Sequence, residues 1–172
     1  MNIFVFGTLL SENFRKIVLG RELHSEHICT ASLKNFCVYW AEGGPFPVIV
    51  PQDGSEVHGI VLKDLNEHDI ERLNYYELGF GYVLKEALVE TNDCLKDVFA
   101  YFCKSSDMAS KNLWSFDDWL TKHSEIQYLA TTEFMDFFGT KFDDTAQRMY
   151  NSILKRAEIY VKERSSVRTV IE

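Results

Sequence analysis

The stretch Asn2-Ile3-Phe4-Val5-Phe6-Gly7-Thr8-Leu9-Leu10-Ser11-Glu12 decides the fold. Residues 2–6 are rich in β-branched and aromatic side chains, which predicts a buried strand. Gly7-Thr8 breaks it, and Ser11 is placed as the N-cap of a short helix whose end Gly20 marks. A strand that turns directly into a helix leaves consecutive backbone N–H groups at the turn. Such a pair makes a nest for a carboxylate or phosphate. An ordinary tight turn is the competing explanation of the same residues. The stretch is not a Gly-x-Gly-x-x-Gly fingerprint, and the chain holds no Gly-x-x-x-x-Gly-Lys-Ser/Thr phosphate loop.

Outward from this turn, Ile28 to Trp40 is strand-like. The run Glu42-Gly43-Gly44-Pro45-Phe46-Pro47 predicts a loop, since its glycines and prolines do not suit a hydrogen-bonded ladder. Val48-Ile49-Val50 predicts a brief strand and Val57 to Leu62 another. Asn66 caps a helix, with Asp69 set to reach back as in a capping box, and that helix runs to about Tyr76 before stopping near Gly79-Phe80-Gly81. Tyr82 to Val89 and Val98 to Cys103 predict two more strands. After about Ser105 the period changes. Ser115 with Asp118, and Ser124 with Gln127, look like helix starts, and Gly139 looks like a stop. Ala146, Met149, Tyr150, Ile153, Ala157, Tyr160 and Val161 then recur at helical spacing. Strands followed by helices make this an α+β chain. Residues 1–104 form the strand-rich part, and residues 105–172 form a helical extension expected to pack on the same domain.

Composition narrows the classes of function. The chain has 172 residues, 46% hydrophobic and 26% charged, which suits one globular domain and excludes a disordered chain. Eighteen basic residues face 26 acidic ones, a net charge of −8. Such a surface repels phosphate backbones and anionic bilayers, so neither nucleic acid nor a membrane is an expected partner. The apolar start has no preceding positive charge and no small-residue cleavage site, and no apolar run approaches the roughly 18 residues that span a bilayer. Cytoplasmic residence is the expectation. Cys29, Cys37, Cys94 and Cys103 fit neither a zinc spacing nor a secreted disulfide framework, and three of them read as small buried hydrophobes in strands. No His-Glu-x-x-His or Gly-x-Ser-x-Gly motif occurs, and His24 with His27 reads as solvated. The cations Lys155, Arg156, Lys162, Arg164 and Arg168 read as a solvated helix face.

One carboxyl stands apart. Ile70, Leu73 and Glu77 fall at i, i+3 and i+7, so a helix continued to Glu77 sets that carboxyl on its apolar face. Desolvation and the negative end of the helix dipole both disfavour the anion and raise the pKa, which suits a general acid/base near neutral pH. A helix that frays before Glu77 would leave the carboxyl in solvent instead.

Five segments in order resemble the γ-glutamylcyclotransferase-like proteins, which include the plant AIG2-like proteins. Phe4-Val5-Phe6-Gly7-Thr8-Leu9 is similar to their Tyr-Gly-Ser/Thr-Leu opening. Gly44-Pro45-Phe46-Pro47-Val48-Ile49 resembles a proline-containing strand, and Val57-His58-Gly59-Ile60-Val61-Leu62 a Val-x-Gly strand. Leu73-Asn74-Tyr75-Tyr76-Glu77-Leu78-Gly79 with Tyr82 resembles a Leu-Asp-x-x-Glu-Gly segment followed by Tyr. Val98-Phe99-Ala100-Tyr101 is similar to a late strand ending in Tyr. The resemblance spans roughly residues 2–104 and implies a small mixed β-barrel with flanking helices, to which the C-terminal helical extension is added. It implies a small-molecule γ-glutamyl substrate, no cofactor and no metal. Glu77 takes the place of the catalytic glutamate, and Phe6, Gly7, Thr8, Leu9, Tyr82 and Tyr101 take substrate-binding places. Three positions depart from the pattern: Phe6 for Tyr, Asn74 for Asp, and Leu78 where Gly is common.

Three functions fit these residues. The first is a cyclotransferase that releases 5-oxoproline and an amine from a γ-glutamyl amine or peptide. The second is a non-catalytic binding or regulatory module on the same fold. The third is another acyl-transfer or amide chemistry using the same glutamate. The leaving amine, the role of the extension and the oligomeric state are not fixed by the sequence.

Overall fold

A computed structural model describes residues 1–92, 94–140 and 146–171. Strand β1 is Ile3–Val5, followed by one 3₁₀ turn, Gly7–Leu10, and helix α1, Glu12–Leu19. Then come β2 (Ile28–Ala41), β3 (Gly44–Leu62), α2 (Glu67–Leu78), β4 (Tyr82–Thr91) and β5 (Leu95–Cys103). Last are β6 (Ala109–Leu113), α3 (Phe116–Lys122), α4 (Ser124–Met135) and α5 (Ala146–Ile171). The ladder runs β3-β1-β5-β4-β2, and β2 pairs again with β3, so the five strands close into a barrel. The β1–β5 pair is parallel and the other pairs of the barrel are antiparallel. Strand β6 extends the long β2–β3 ribbon by pairing with β2 near Tyr39 and Ala41. The structure is thus the α+β barrel with flanking helices that the resemblance implies.

Local chemistry accounts for the elements around the site. The Ser11 hydroxyl accepts from Phe14 N–H at 3.3 Å, and Gly20 ends α1 in the left-handed region at φ 72°. In α2 both arms of the capping box form: Asn66 Oδ1 accepts from Asp69 N–H at 2.9 Å, and Asp69 Oδ2 accepts from Asn66 N–H at 3.0 Å. Two arginines then fix α2 against α1. Arg21 grips the fully buried Asp69 with both arms, Nε to Oδ1 at 2.8 Å and Nη2 to Oδ2 at 2.7 Å. Arg72 donates to the Val18 and Ile17 carbonyls at the end of α1, at 2.8 and 3.1 Å. The first two turns of α2 are therefore fixed against α1, and they set the rotation of the helix that carries Glu77 in its last turn.

Strand β3 departs from the expected pattern. The sequence predicts a loop from Glu42 with two short strands beyond it, yet Gly44–Leu62 is one 19-residue strand. Pro45, Pro47 and Pro51 lie within it, all at odd positions. Alternate residues of a strand aim their amides to opposite sides, so Pro47 and Pro51, in one unbroken register with β2, omit an amide on the same edge. That edge faces away from β2: the Pro45 carbonyl accepts from Gln127 Nε2 at 2.7 Å and the Pro47 carbonyl from the Tyr82 hydroxyl at 2.5 Å. The prolines are tolerated there as on any edge. Other differences are smaller. Strand β6 was not anticipated, and Ser124 does not cap α4, because its hydroxyl donates to the Leu120 carbonyl at 2.6 Å. Of the four cysteines, Cys94 is exposed and the other three are half-buried.

Two cores lie on opposite faces of the barrel wall. Inside, Phe4, Ala31, Leu33, Ile49, Val57, Val61, Val89, Val98 and Ala100 come from all five strands. Outside, Ile3 and Val5 join Phe14, Val18 and Leu19 of α1, Leu73 and Tyr76 of α2, Trp119 of α3, Phe134 of α4, and Tyr150 and Ile153 of α5. Period-2 alternation along β1 sends Phe4 inward and its neighbours outward. The helices after residue 104 therefore share one core with β1 and α1. On α5, Tyr150, Ile153 and Ala157 are buried, whereas Tyr160, expected on the packed face, is 55% exposed. The side chains of Ala146 and Arg168 lie outside the described ones.

Because Ile153 is fully buried in that shared core, Ile153→Ala is expected to lower stability by about 2–5 kcal/mol. Tyr160→Ala is expected to change it by under about 0.5 kcal/mol. Urea denaturation followed by far-UV circular dichroism checks both. Equal, small effects would mean that α5 is an appendage rather than part of the core.

Candidate functional site

The site begins at the turn after β1. Gly7 sits at φ 64°, a conformation that glycine adopts without strain. A Cβ at this position would lie 2.2 Å from Pro47 Cγ, so the close passage of β3 also excludes every other residue. In the 3₁₀ turn that follows, the first N–H groups have no carbonyl of their own helix to reach, as at any helix start. The turn is braced from behind by Arg15, whose Nη1 donates to the Leu9 and Leu10 carbonyls at 2.9 and 2.7 Å. Arg15 is buried, and burial lowers its pKa against the opposing pull of Glu12. Its charge sets a positive field at the turn.

Opposite the turn stands the end of α2. The helix continues through Leu78, so Glu77 lies within its last turn, one position beyond buried Tyr76. The two elements face each other across a cleft of about 620 Å³, mouth included. It is lined by Phe4, Val5, Phe6, Thr8 and Leu9 from β1 and the turn, and by Phe46 and Pro47 from β3. Tyr76, Glu77 and Phe80 come from α2 and the residues after it, Tyr82 and Tyr101 from β4 and β5, and Gln127 and Tyr150 from α4 and α5.

Glu77 keeps part of its surface open to the cleft, but its surroundings are ring faces and aliphatic carbon. Burial alone pushes its carboxyl up to about 8. Burial is also the largest cause holding the phenols of Tyr76, Tyr82 and Tyr101 up, with the nearby Glu77 charge adding to each. The hydroxyls are placed by protein partners: Tyr82 donates to the Pro47 carbonyl, and Tyr101 donates to Asn74 Oδ1 at 2.8 Å. Asn74 thus gives Tyr101 an acceptor without adding a second carboxylate three residues from Glu77. Leu78 is 46% exposed and is not among the residues lining the cleft.

Of the residues singled out in the sequence, Phe6, Thr8, Leu9, Glu77, Tyr82 and Tyr101 line this one cleft. Gly7 lies beneath it, against Pro47, and borders the neighbouring surface groove. Phe6 keeps its ring in the wall, 6.4 Å from that of Phe4, and offers no hydroxyl. Sequence reasoning missed Phe46, Tyr76, Phe80, Gln127, Tyr150 and Arg15. Tyr76 had a signal in its place beside Glu77. Gln127 and Tyr150 had none, because they reach the cleft from helices outside the resemblance. Among the described residues no cluster of three or more His, Cys, Asp or Glu side chains is placed to hold a metal, and no helix is long and apolar enough to cross a membrane.

The comparisons with known proteins agree with this geometry. The family described as "Gamma-glutamyl cyclotransferase, AIG2-like" matches residues 3–121. AIG2-like protein B of Arabidopsis thaliana is 29% identical over 138 residues, 78% of each chain. AIG2-like protein A of the same plant is 28% identical over 127 residues, 72% of this chain and 74% of that one. A solution structure from A. thaliana superposes with a TM-score of 0.55 at 25% identity, covering 83% of this chain and 94% of the other. A solved gamma-glutamyl cyclotransferase shares the fold at 15% identity, with a TM-score of 0.51 over 88% of this chain and 98% of the other. With well over half of its length matched by the family, the chain belongs to the gamma-glutamyl cyclotransferase, AIG2-like family.

Proposed function

We propose that this protein is a cyclotransferase acting on a γ-glutamyl amine, with Glu77 as its general acid/base. One observation carries the proposal: a carboxyl raised to about 8 by burial faces the amides of a glycine turn across an aromatic cleft. The glutamyl α-carboxylate sits on the turn amides of Gly7, Thr8 and Leu9, in the positive field of Arg15. The α-ammonium lies toward Glu77, with the Tyr82 and Tyr101 rings beside it.

In the free enzyme near pH 7 most Glu77 carries a proton. The bound ammonium favours its anion and draws the pKa down. The carboxylate takes one ammonium proton, and the freed lone pair attacks the γ-carbonyl carbon to form the ring C–N bond. As the tetrahedral centre collapses, the bond to the leaving nitrogen breaks and Glu77 returns the proton there. A second proton follows the same relay. Two of the three ammonium protons end on the leaving amine, and 5-oxoproline keeps one N–H. Net charge is conserved, with one cation entering and one leaving.

Glu77→Gln keeps size and hydrogen bonding but exchanges no proton. It is expected to cut 5-oxoproline release by at least about 10²-fold while the far-UV spectrum is unchanged. Release at the wild-type rate from the Gln variant overturns the mechanism. No release by wild type from γ-glutamyl dipeptides, γ-glutamylamines or glutathione turns the assignment toward a binding module.

The raised pKa has a second consequence, with its own sign. A folded carboxyl at about 8 against about 4.3 in the unfolded chain means that the native state holds the extra proton between these values. Stability then falls as pH rises through that window and levels off above it. Glu77→Gln is therefore expected to melt at a higher temperature than wild type at pH 8, with the gap closing below about pH 4.3. Wild-type kcat/KM is expected to climb with pH up to about 8, reporting the free enzyme. A gap that does not vary with pH would show that Glu77 titrates normally.

A further inference from the structure

We infer that a second ligand site lies on the far side of the Gly7 turn from the cleft, and that it takes a small aromatic amine in its ammonium form. The inference stands apart from the reaction assigned to Glu77. A groove of about 650 Å³, mouth included, runs between the turn, the β2–β3 ribbon and the segment that joins β6 to α3. Phe6 lines both this groove and the cleft, and Gly7 borders only the groove, so the turn is the partition between the two cavities.

Most of the lining is apolar. Val38 and Val57 face the groove from the ribbon, and Leu113, Trp114 and Phe116 line it from β6 and the start of α3. Leu113 is 63% exposed, and the rings of Phe6, Trp114 and Phe116 are half-buried, so apolar surface on both sides of the groove meets water. Trp114 packs on Trp40 at 4.1 Å between ring centroids. Its Nε1 is enclosed with no hydrogen-bond partner among the described residues, so packing alone holds this wall. An aromatic ring entering the groove covers these side chains and releases their water.

Charge decides what the ring carries. The polar side chains of the lining are Glu56 and His58. Glu56 Oε1 accepts from Lys34 Nζ at 2.7 Å, and the same ammonium lies 3.4 Å from Glu90 Oε2. Two carboxylates thus share one ammonium, and among the described residues no Lys or Arg lines the groove. The Lys34 hydrogen bond, with a further one from Ser32, holds the Glu56 carboxyl below its ordinary range, so it is an anion at neutral pH. An ammonium beside Glu56 balances the unmatched charge, and the chain's net charge of −8 draws cations to its surface. A ligand that carries a carboxylate or phosphate meets uncompensated negative charge instead. The same excess charge disfavours a second copy of this chain as the occupant.

A matched pair of probes isolates the charge. Phenethylammonium and phenylpropanoate share the ring and the spacer and differ in the sign of their charge. Each is titrated near neutral pH into the isotope-labelled full chain, followed by proton–nitrogen correlation spectra. The cation is expected to shift the Trp114 indole and Gly7 amide signals saturably, with a Kd at least about 10-fold below that of the anion. Trp119 reports the cleft instead, because its Nε1 donates to Gln127 of that lining at 3.1 Å. Glu56→Gln is expected to raise the Kd of the cation about 5-fold. Leu113→Lys, at an exposed position, is expected to raise it at least about 10-fold. Equal affinity for the two probes, or no saturable shift with either, overturns the inference. If the Trp119 signal moves without that of Trp114, or Glu77→Gln weakens the cation while Glu56→Gln does not, the probe sits in the cleft and the inference falls. A wild-type dimer that Leu113→Lys dissociates, with neither probe bound, assigns the groove to a second copy and also overturns it.

Discussion

Ile3, Phe4 and Val5 carry the closure of the barrel, because the strand they form stands between two neighbouring strands. On one side they pair antiparallel with Leu62, Val61 and Ile60, and on the other Ile3 and Phe4 pair parallel with Phe99 and Ala100. All three are essentially without solvent contact. Phe4 fills the barrel while Ile3 and Val5 face the helices, so a slip of one residue would exchange the two cores. With β1 locked, the direction in which the chain leaves it at Phe6 is also locked. Gly59 shows how tightly the strands fit, since a Cβ there would stand 2.4 Å from the Val5 carbonyl oxygen. The turn at Gly7 inherits its position from this strand, and Pro47 closes over it.

The second wall of the cleft depends on a different constraint. Glu77 is at the far end of α2 from the Arg21–Asp69 fork, and the helix between them is rigid. Burial acts to raise the Asp69 carboxyl, but the two bonds from Arg21, the Asn66 backbone bond and the Arg21 charge hold it below its ordinary range. The ion pair is half in solvent on the arginine side. Its value is geometric: a fixed N-terminus sets the rotation of the whole helix, and rotation decides whether position 77 meets solvent or the aromatic cleft. Leu73, one turn earlier on the same face, is fully buried and holds the same rotation by packing. A carboxyl that costs stability when ionised is retained where its chemistry is needed, and the surrounding core offsets the cost.

Helices α4 and α5 complete the cleft from the C-terminal part of the chain. Gln127 ties α4 to the turn end of the β2–β3 ribbon through Pro45 and to α3 through Trp119. Tyr150 belongs to a cluster of rings with Phe80 and Phe134, and its phenol is pushed up to about 12 chiefly by burial. These side chains shield the Glu77 end of the site from water. The desolvation that sets the carboxyl's pKa is therefore shared between the barrel and the helices that follow it.

Much of the fold was legible in the chain itself. Ser11, Gly20, Asn66, Asp69 and Ser115 are local signals, and local hydrogen bonds are what they make in the structure. The placement of Glu77 on an apolar face followed from helical periodicity, which α2 keeps to Leu78. The run at Gly44–Pro47 is a strand despite its glycine and prolines, because proline forbids a ladder only on the side where its amide would point, and that side is decided by which strand lies next to it. Nothing near Gln127, Tyr150 or Arg15 in the sequence marks them as neighbours of a turn more than a hundred residues away in two of the three cases. Their contribution arises from packing across the barrel's outer face, a relation between distant segments that periodicity and caps do not encode. Local residue order marks most of the elements, several of their ends and a carboxyl on an apolar helix face. How the cleft around that carboxyl is walled depends on side chains from β3, α4 and α5 that meet it after the chain has folded.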